Sequence, residues 1–145
     1  MKHLKSLLMV CLTIVLILSL SNVALAKSSK STLKSYKITF VSAKLVENNH
    51  VGNEWSTGAE VNGQAISVGK SKTLKLKDSD MIILTATAIE EDKVPDEGTE
   101  SEEVEVSSLT KQKTTSKINV MVTENRGRYS GNTATWTFMF KIEKL

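Results

Sequence analysis

The chain has 145 residues, with 19 lysines and arginines against 16 acids, one cysteine and one proline. That near-balance excludes a partner recruited by global charge alone, whether nucleic acid or anionic membrane, and a single cysteine excludes an internal disulfide framework. The length suits one hydrophobic core and leaves no room for two.

The first 26 residues carry the three parts of a secretory signal: Lys2 and Lys5 at a positive start, an apolar run from Leu7 to Leu20, and Ala24-Leu25-Ala26 as the small-x-small cleavage pattern. The run is short for a bilayer core of about 30 Å, and no later stretch approaches the ~20 apolar residues of a spanning helix. Cys11 follows the bulky Val10 and the apolar run continues past it, so the segment reads as a cleaved signal rather than a lipid anchor. Cleavage after Ala26 removes Lys2, Lys5 and Cys11. The remaining 119 residues then hold 17 basic and 16 acidic side chains, a net charge of +1, and no thiol for a zinc site. An exported small domain without disulfides points to a Gram-positive bacterial exporter. The expected location is extracellular, either secreted or at the cell surface.

Residues 27–34 are polar and basic with nothing periodic to bury, and are expected to form a loose arm ahead of one domain over 35–145. From Tyr36 onward apolar residues recur at every second position, the period of a strand, and no long stretch holds the 3.6 period of a helix. Tyr36, Ile38 and Phe40 alternate on one parity and Val41, Ala43 and Leu45 on the other, which predicts a β-bulge near Val41 and Ser42. Trp55, Thr57, Ala59 and Val61 lead into Asn62-Gly63, a hairpin signal because both residues tolerate positive φ. Ile66 and Val68 mark the return strand, Gly69-Lys70-Ser71 a turn, and Leu74 and Leu76 the next strand. Met81 to Ile89 is the most apolar segment, with Ile82, Leu84, Ala86 and Ala88 on one face, so a central strand is expected there. Val104 and Val106, then Ile118, Val120 and Val122, then Ala134, Trp136, Phe138, Phe140 and Ile142 mark three more. About eight short strands at this spacing predict an all-β, antiparallel eight-stranded β-sandwich. Trp55, Trp136, Phe138 and Phe140 are in phase with apolar neighbours and are expected in its core.

Three loops could carry chemistry. Glu90 to Glu105 holds nine of the sixteen acids and one cation, Lys93, and is read as an acidic loop with a shaped turn at Pro95 to Gly98. Glu47 to Glu54 offers carboxylate, amide and backbone oxygens around Gly52, donors that a hard cation such as Ca²⁺ takes. Asn125 to Asn132 holds the only two arginines, Arg126 and Arg128, beside Tyr129; their guanidinium forks suit an anionic partner or the acidic loop itself.

In this pattern the chain resembles C2 domains over most of residues 36–142, with an immunoglobulin-like sandwich as the alternative. The resemblance rests on Glu47 and Asn53 spaced around Gly52, and on Glu90-x-Asp92 followed by Asp96 or Glu97 before Gly98. C2 domains are eight-stranded antiparallel sandwiches whose tip loops bind Ca²⁺ through acidic residues. The resemblance therefore implies Glu47, Asn53, Glu90, Asp92 and Asp96 as metal-ligating positions. It departs from the family in carrying Glu and Asn where Asp is usual, and the arginines could serve as internal counter-ions. With the permuted strand order (type II) of that family, the loops at 47–54, 69–71, 90–102 and 125–132 are expected at one end.

His50 is the only histidine after the signal, and neither a nucleophile elbow, a metalloprotease motif, a phosphate loop nor a cysteine nucleophile accompanies it. The chain reads as a non-enzyme. The expected function is an extracellular binding or adhesion module, with Ca²⁺ as a candidate cofactor, Arg126, Arg128 and Tyr129 as partner-binding residues, and a cell-envelope polymer, lipid surface or protein as partner. The alternative is a structural or regulatory secreted protein, an inhibitor or assembly subunit, that uses a sheet edge or face without metal.

Overall fold

The computed structural model describes residues 32–145; the signal expected over 1–26 and most of the expected arm lie outside the described residues. Alternation of apolar and polar side chains organises these residues into eight strands, β1 (Lys34–Asn48), β2 (Trp55–Val61), β3 (Gln64–Ala65), β4 (Ser71–Leu76), β5 (Met81–Glu90), β6 (Asp96–Glu105), β7 (Lys113–Thr123) and β8 (Thr133–Lys144), with short 3₁₀ turns at Val106–Ser108 and Gly127–Tyr129. All pairings are antiparallel and give two four-stranded sheets, ordered β4-β1-β8-β7 and β3-β2-β5-β6. The fold is the all-β sandwich expected from the period-two pattern. Lys34, assigned to the arm, begins β1 instead: it pairs with Leu76 and its ammonium reaches Asp78 at 2.7 Å.

The inner faces supply the core. Tyr36, Ile38 and Phe40 of β1, Ile82, Leu84, Ala86 and Ala88 of β5, Ile118, Val120 and Val122 of β7, and Phe138, Phe140 and Ile142 of β8 are all buried. Phe40 stacks on Phe138 and Phe140 with ring centroids 5.9 and 5.1 Å apart. The expected bulge is present as a register shift between Phe40 and Ser42, and a second one falls between Leu45 and Glu47. Asn62 and Gly63 adopt φ of 49° and 71°, and the Asn62 Oδ1 accepts the Ile83 N–H at 2.7 Å, tying the hairpin to the central strand. Trp55 and Trp136 are only half-buried; they pack on each other at 5.6 Å, and neither indole N–H finds an acceptor among the described residues.

Four further sequence expectations need correction. The acidic stretch is a loop only over residues 91–95; from Asp96 onward it is strand β6, in register with β5 for its whole length. Hydroxyl pairs hold it there, Thr87 to Thr99 and Thr85 to Ser101 at 2.9 Å each, and at the sheet edge Glu97, Glu100, Glu103 and Glu105 stay exposed, so their repulsion is screened. Val106 lies past that strand, in the 3₁₀ turn, and is buried. The segment after Ala65 is a crossover between sheets rather than a continued strand: Ile66 is buried, but Val68 points into solvent. Gly69 and Lys70 are bonded to the backbone of Phe40, halfway along β1, so the 69–71 turn does not reach the loop-bearing end.

Strands β6 and β7 are edge strands of different sheets, and Gly98 lets them approach. A Cβ at this position would lie 2.3 Å from the Met121 carbonyl oxygen, a backbone atom that cannot swing aside. Gly98→Ala is therefore expected to lower stability by about 1–3 kcal/mol through forced separation of the two edges. Urea unfolding checks this, with an unchanged midpoint counting against the close contact.

Candidate functional site

Strands β1, β5 and β7 all end at the same pole. Their outgoing loops, 49–54, 91–95 and 124–132, come from both sheets, and backbone and side-chain bonds join them. Glu91 N–H donates to Glu54 O at 2.6 Å, Asn49 N–H to Thr133 O at 3.0 Å, and Asn125 Nδ2 to Asp96 Oδ1 at 2.7 Å. The first loop is shaped by Asn48, whose Oδ1 accepts the Val51 N–H and whose Nδ2 donates to Gly52 O. Val51 is thereby pressed into the core, fully buried, and the chain is forced through positive φ at His50 (59°) and Gly52 (80°).

The loops enclose a depression of about 460 Å³ lined by Asn48, His50, Gly52, Asn53, Glu90, Asp92, Glu124 and Tyr129. Glu90 is its floor. It continues the inward parity of Ile82, Leu84, Ala86 and Ala88, so alternation carries a carboxylate to the end of the core layer, where it is 3% exposed. Its Oε2 accepts the Asp92 N–H at 3.1 Å. Burial raises its pKa, and the charges of Asp92 and Glu124 push the same way against the backbone hydrogen bonds from Asp92 and Glu54. Gly52 crosses directly above this carboxylate: a Cβ there would lie 2.0 Å from Oε1. On the rim, the His50 ring stacks on Tyr129 at 5.2 Å, and the Arg128 guanidinium lies 5.7 Å from the same phenol ring.

The residues expected from sequence divide into three groups. Asn53, Glu90, Asp92 and Tyr129 share the depression. Asp96 is buried and is the cross-strand neighbour of Glu90, but Asn125 holds its carboxylate, through Nδ2 and a longer contact from its N–H. Glu47 lies on the outer face of its sheet opposite Thr135 and does not line the depression. The ion pairs described join Lys34 to Asp78 and both Lys113 and Lys141 to Glu143; neither arginine makes one. Arg126 meets Glu124 only through its backbone N–H. Asn48, Gly52 and Glu124 were not singled out as site residues from sequence. The signal available for the first two was the Asn-rich run ahead of a glycine, which marks a side-chain-stabilised turn. Glu124 had none.

The donor set does not form a ready metal cage. Among the described residues, no group of three or more histidine, cysteine, aspartate or glutamate side chains is placed to hold a metal ion. No helix among them is long and apolar enough to cross a membrane. In comparisons with known proteins, no family model matches the chain and no curated protein matches it.

Two outcomes follow. Gly52→Ala is expected to cost about 2–4 kcal/mol, combining left-handed backbone strain with the clash on Glu90. Adding Glu90→Ala should recover part of that loss, and no recovery in thermal melts would separate the two residues. A carboxyl whose pKa is raised on folding contributes stability that is complete below its ordinary value of 4.5 and is lost as pH rises through the folded value. The protein should therefore gain in melting temperature relative to Glu90→Gln as pH falls from neutrality toward that value. A difference independent of pH would remove Glu90 as a buried acid.

Proposed function

We propose that the protein is a non-enzymatic extracellular binding module that acts through its three-loop pole. The ligand feature it takes is a positively charged group, an amine or guanidinium carried by a cell-envelope polymer, lipid or protein. The observation that carries this reading is the lining of the depression: three carboxylates, one of them buried, and no lysine or arginine. Packed like charges raise the energy of the ionised state, and a bound cation relieves it. The Tyr129 and His50 rings add an aromatic wall, which favours cations further. Catalysis is not part of the reading: His50 Nδ1 meets Asn49 Oδ1, 3.2 Å away, and no serine or threonine hydroxyl lines the depression with it.

The likeness to C2 domains is the finer reading of the fold, and with it comes Ca²⁺ as the competing occupant. Carboxylates of Glu90, Asp92 and Glu124 with the amide oxygen of Asn53 supply hard oxygens, yet they lack the convergence of a preformed cage. Direct binding of an organic cation fits the open, aromatic-walled shape better. Thermal-shift titrations with a linear polyamine, with Ca²⁺ and with a neutral oligosaccharide distinguish the readings. Stabilisation by the polyamine of about 2.7 kcal/mol at a hundredfold excess over its Kd is expected, and it should be lost in Glu90→Gln/Asp92→Asn. Stabilisation by Ca²⁺ instead would give the pole to a metal. A response to neither would take the function away from the pole.

A further inference from the structure

The balanced total charge conceals a separation between the two outer faces. Register places Lys37 and Lys44 of β1, Lys75 of β4, Lys113 and Lys117 of β7 and Lys141 of β8 on the outer face of the first sheet. Glu47 and Glu143 are the acids there, so the face carries six positive charges against two negative. The outer face of the second sheet carries Glu60 of β2 and Glu97, Glu103 and Glu105 of β6, and no lysine or arginine among its strand residues. The formal imbalance is therefore four positive charges on one face and four negative on the other. Sequence separation hides this, because the lysines come from four strands that meet only in space.

Each face also sets charge beside exposed apolar surface. Lys117 is the direct cross-strand partner of Met139, with Met121 on the same face 60% exposed. On the opposite face Glu103 is paired with Ile83 and Glu105 with Met81, both apolar side chains exposed. The two surfaces thus match in charge and both offer apolar contact, which makes each a fit for the other.

We propose that copies of this chain associate face to opposite face, the lysine face of one sandwich docking on the glutamate face of the next. Such a contact is heterologous: each copy added leaves one lysine face and one glutamate face free, so the assembly grows open-ended unless a rotation closes it. The glutamate sheet limits the contact: its strands of 7, 10 and 10 residues and the 2 residues of β3, at about 3.4 Å per residue and about 4.8 Å apart, present roughly 470 Å², so a stacked pair buries about 950 Å², the size of a weak, transient contact. Association is therefore weak, concentration-dependent and sensitive to salt. The loop-bearing pole lies at the strand ends, off both faces, and stays accessible in every copy. A polymer carrying repeated ligand groups would then meet several poles at once and bind by avidity.

The test uses purified protein and two charge-reversed variants at exposed positions, Lys44→Glu/Lys117→Glu and Glu60→Lys/Glu103→Lys, each checked for unchanged circular dichroism. In sedimentation velocity the parent protein should exceed monomer mass at about 0.02 M salt and return to it near 0.3 M. Either variant alone should stay monomeric, whereas their equimolar mixture should form a pair that grows no further, because only one matched pair of faces remains. Three results overturn the proposal: a monomeric parent at millimolar concentration and low salt, association that survives either reversal, or a mixture that stays monomeric. Co-sedimentation of a monomeric parent with anionic phospholipid vesicles, lost in Lys44→Glu/Lys117→Glu, would also overturn it and give the lysine face to a lipid surface.

Discussion

Phe40 is the point at which three constraints of this fold coincide. Its ring lies against Phe138 and Phe140 in the core, its N–H and carbonyl hold Lys70 and Gly69 of the crossover, and the register of β1 against β8 breaks immediately after it. The crossover bond fixes where β4 joins the first sheet. The register break resets the parity of β1, so that Ala43 and Leu45 continue on the inner side opposite Phe138 and Trp136. One strand can therefore serve the core with its first half and carry Asn48 to the pole with its second. The position of the loops follows from that single residue more than from the loops themselves.

At the pole the same alternation that builds the core produces a conflict. Strand β5 places an inward residue at every second position, and the last of them is a carboxylate. The surrounding loops answer it with backbone N–H donors and with a glycine that leaves room for it, but bring no cation to it. Here local preference and global fold disagree. Sites where they disagree in an otherwise consistent fold are where selection for something besides stability is expected.

Much of the architecture was legible in the residues because sheets with one buried face write their period directly into the sequence. The first bulge, the Asn62-Gly63 hairpin and the buried face of β5 could all be read. Strand β6 could not beyond Val104 near its end, since Glu-rich segments have low strand propensity and its partner residues, Thr85 and Thr87, are recognisable only once β5 is placed beside it. Of the pole, Glu90, Asp92, Asn53 and Tyr129 were visible as chemically capable residues. Their grouping was not, nor was the exclusion of Glu47, because that exclusion depends on a second bulge that a single non-alternating pair, Leu45 and Val46, does not announce. The charge segregation of the faces lay wholly outside reach: it is a property of register between strands far apart in the chain.

Among the described residues, strand β1 past Phe40 has no neighbour on the side where β4 pairs with its first half, and β2 is likewise uncovered ahead of Ala59. These are open backbone rims with Val41, Leu45 and Val46 exposed beside them, the ordinary starting point for runaway strand addition between molecules. Two irregularities within seven residues of β1 give an incoming strand no straight ladder to follow. The kinks that aim this strand thus also act as a safeguard against amyloid-like recruitment.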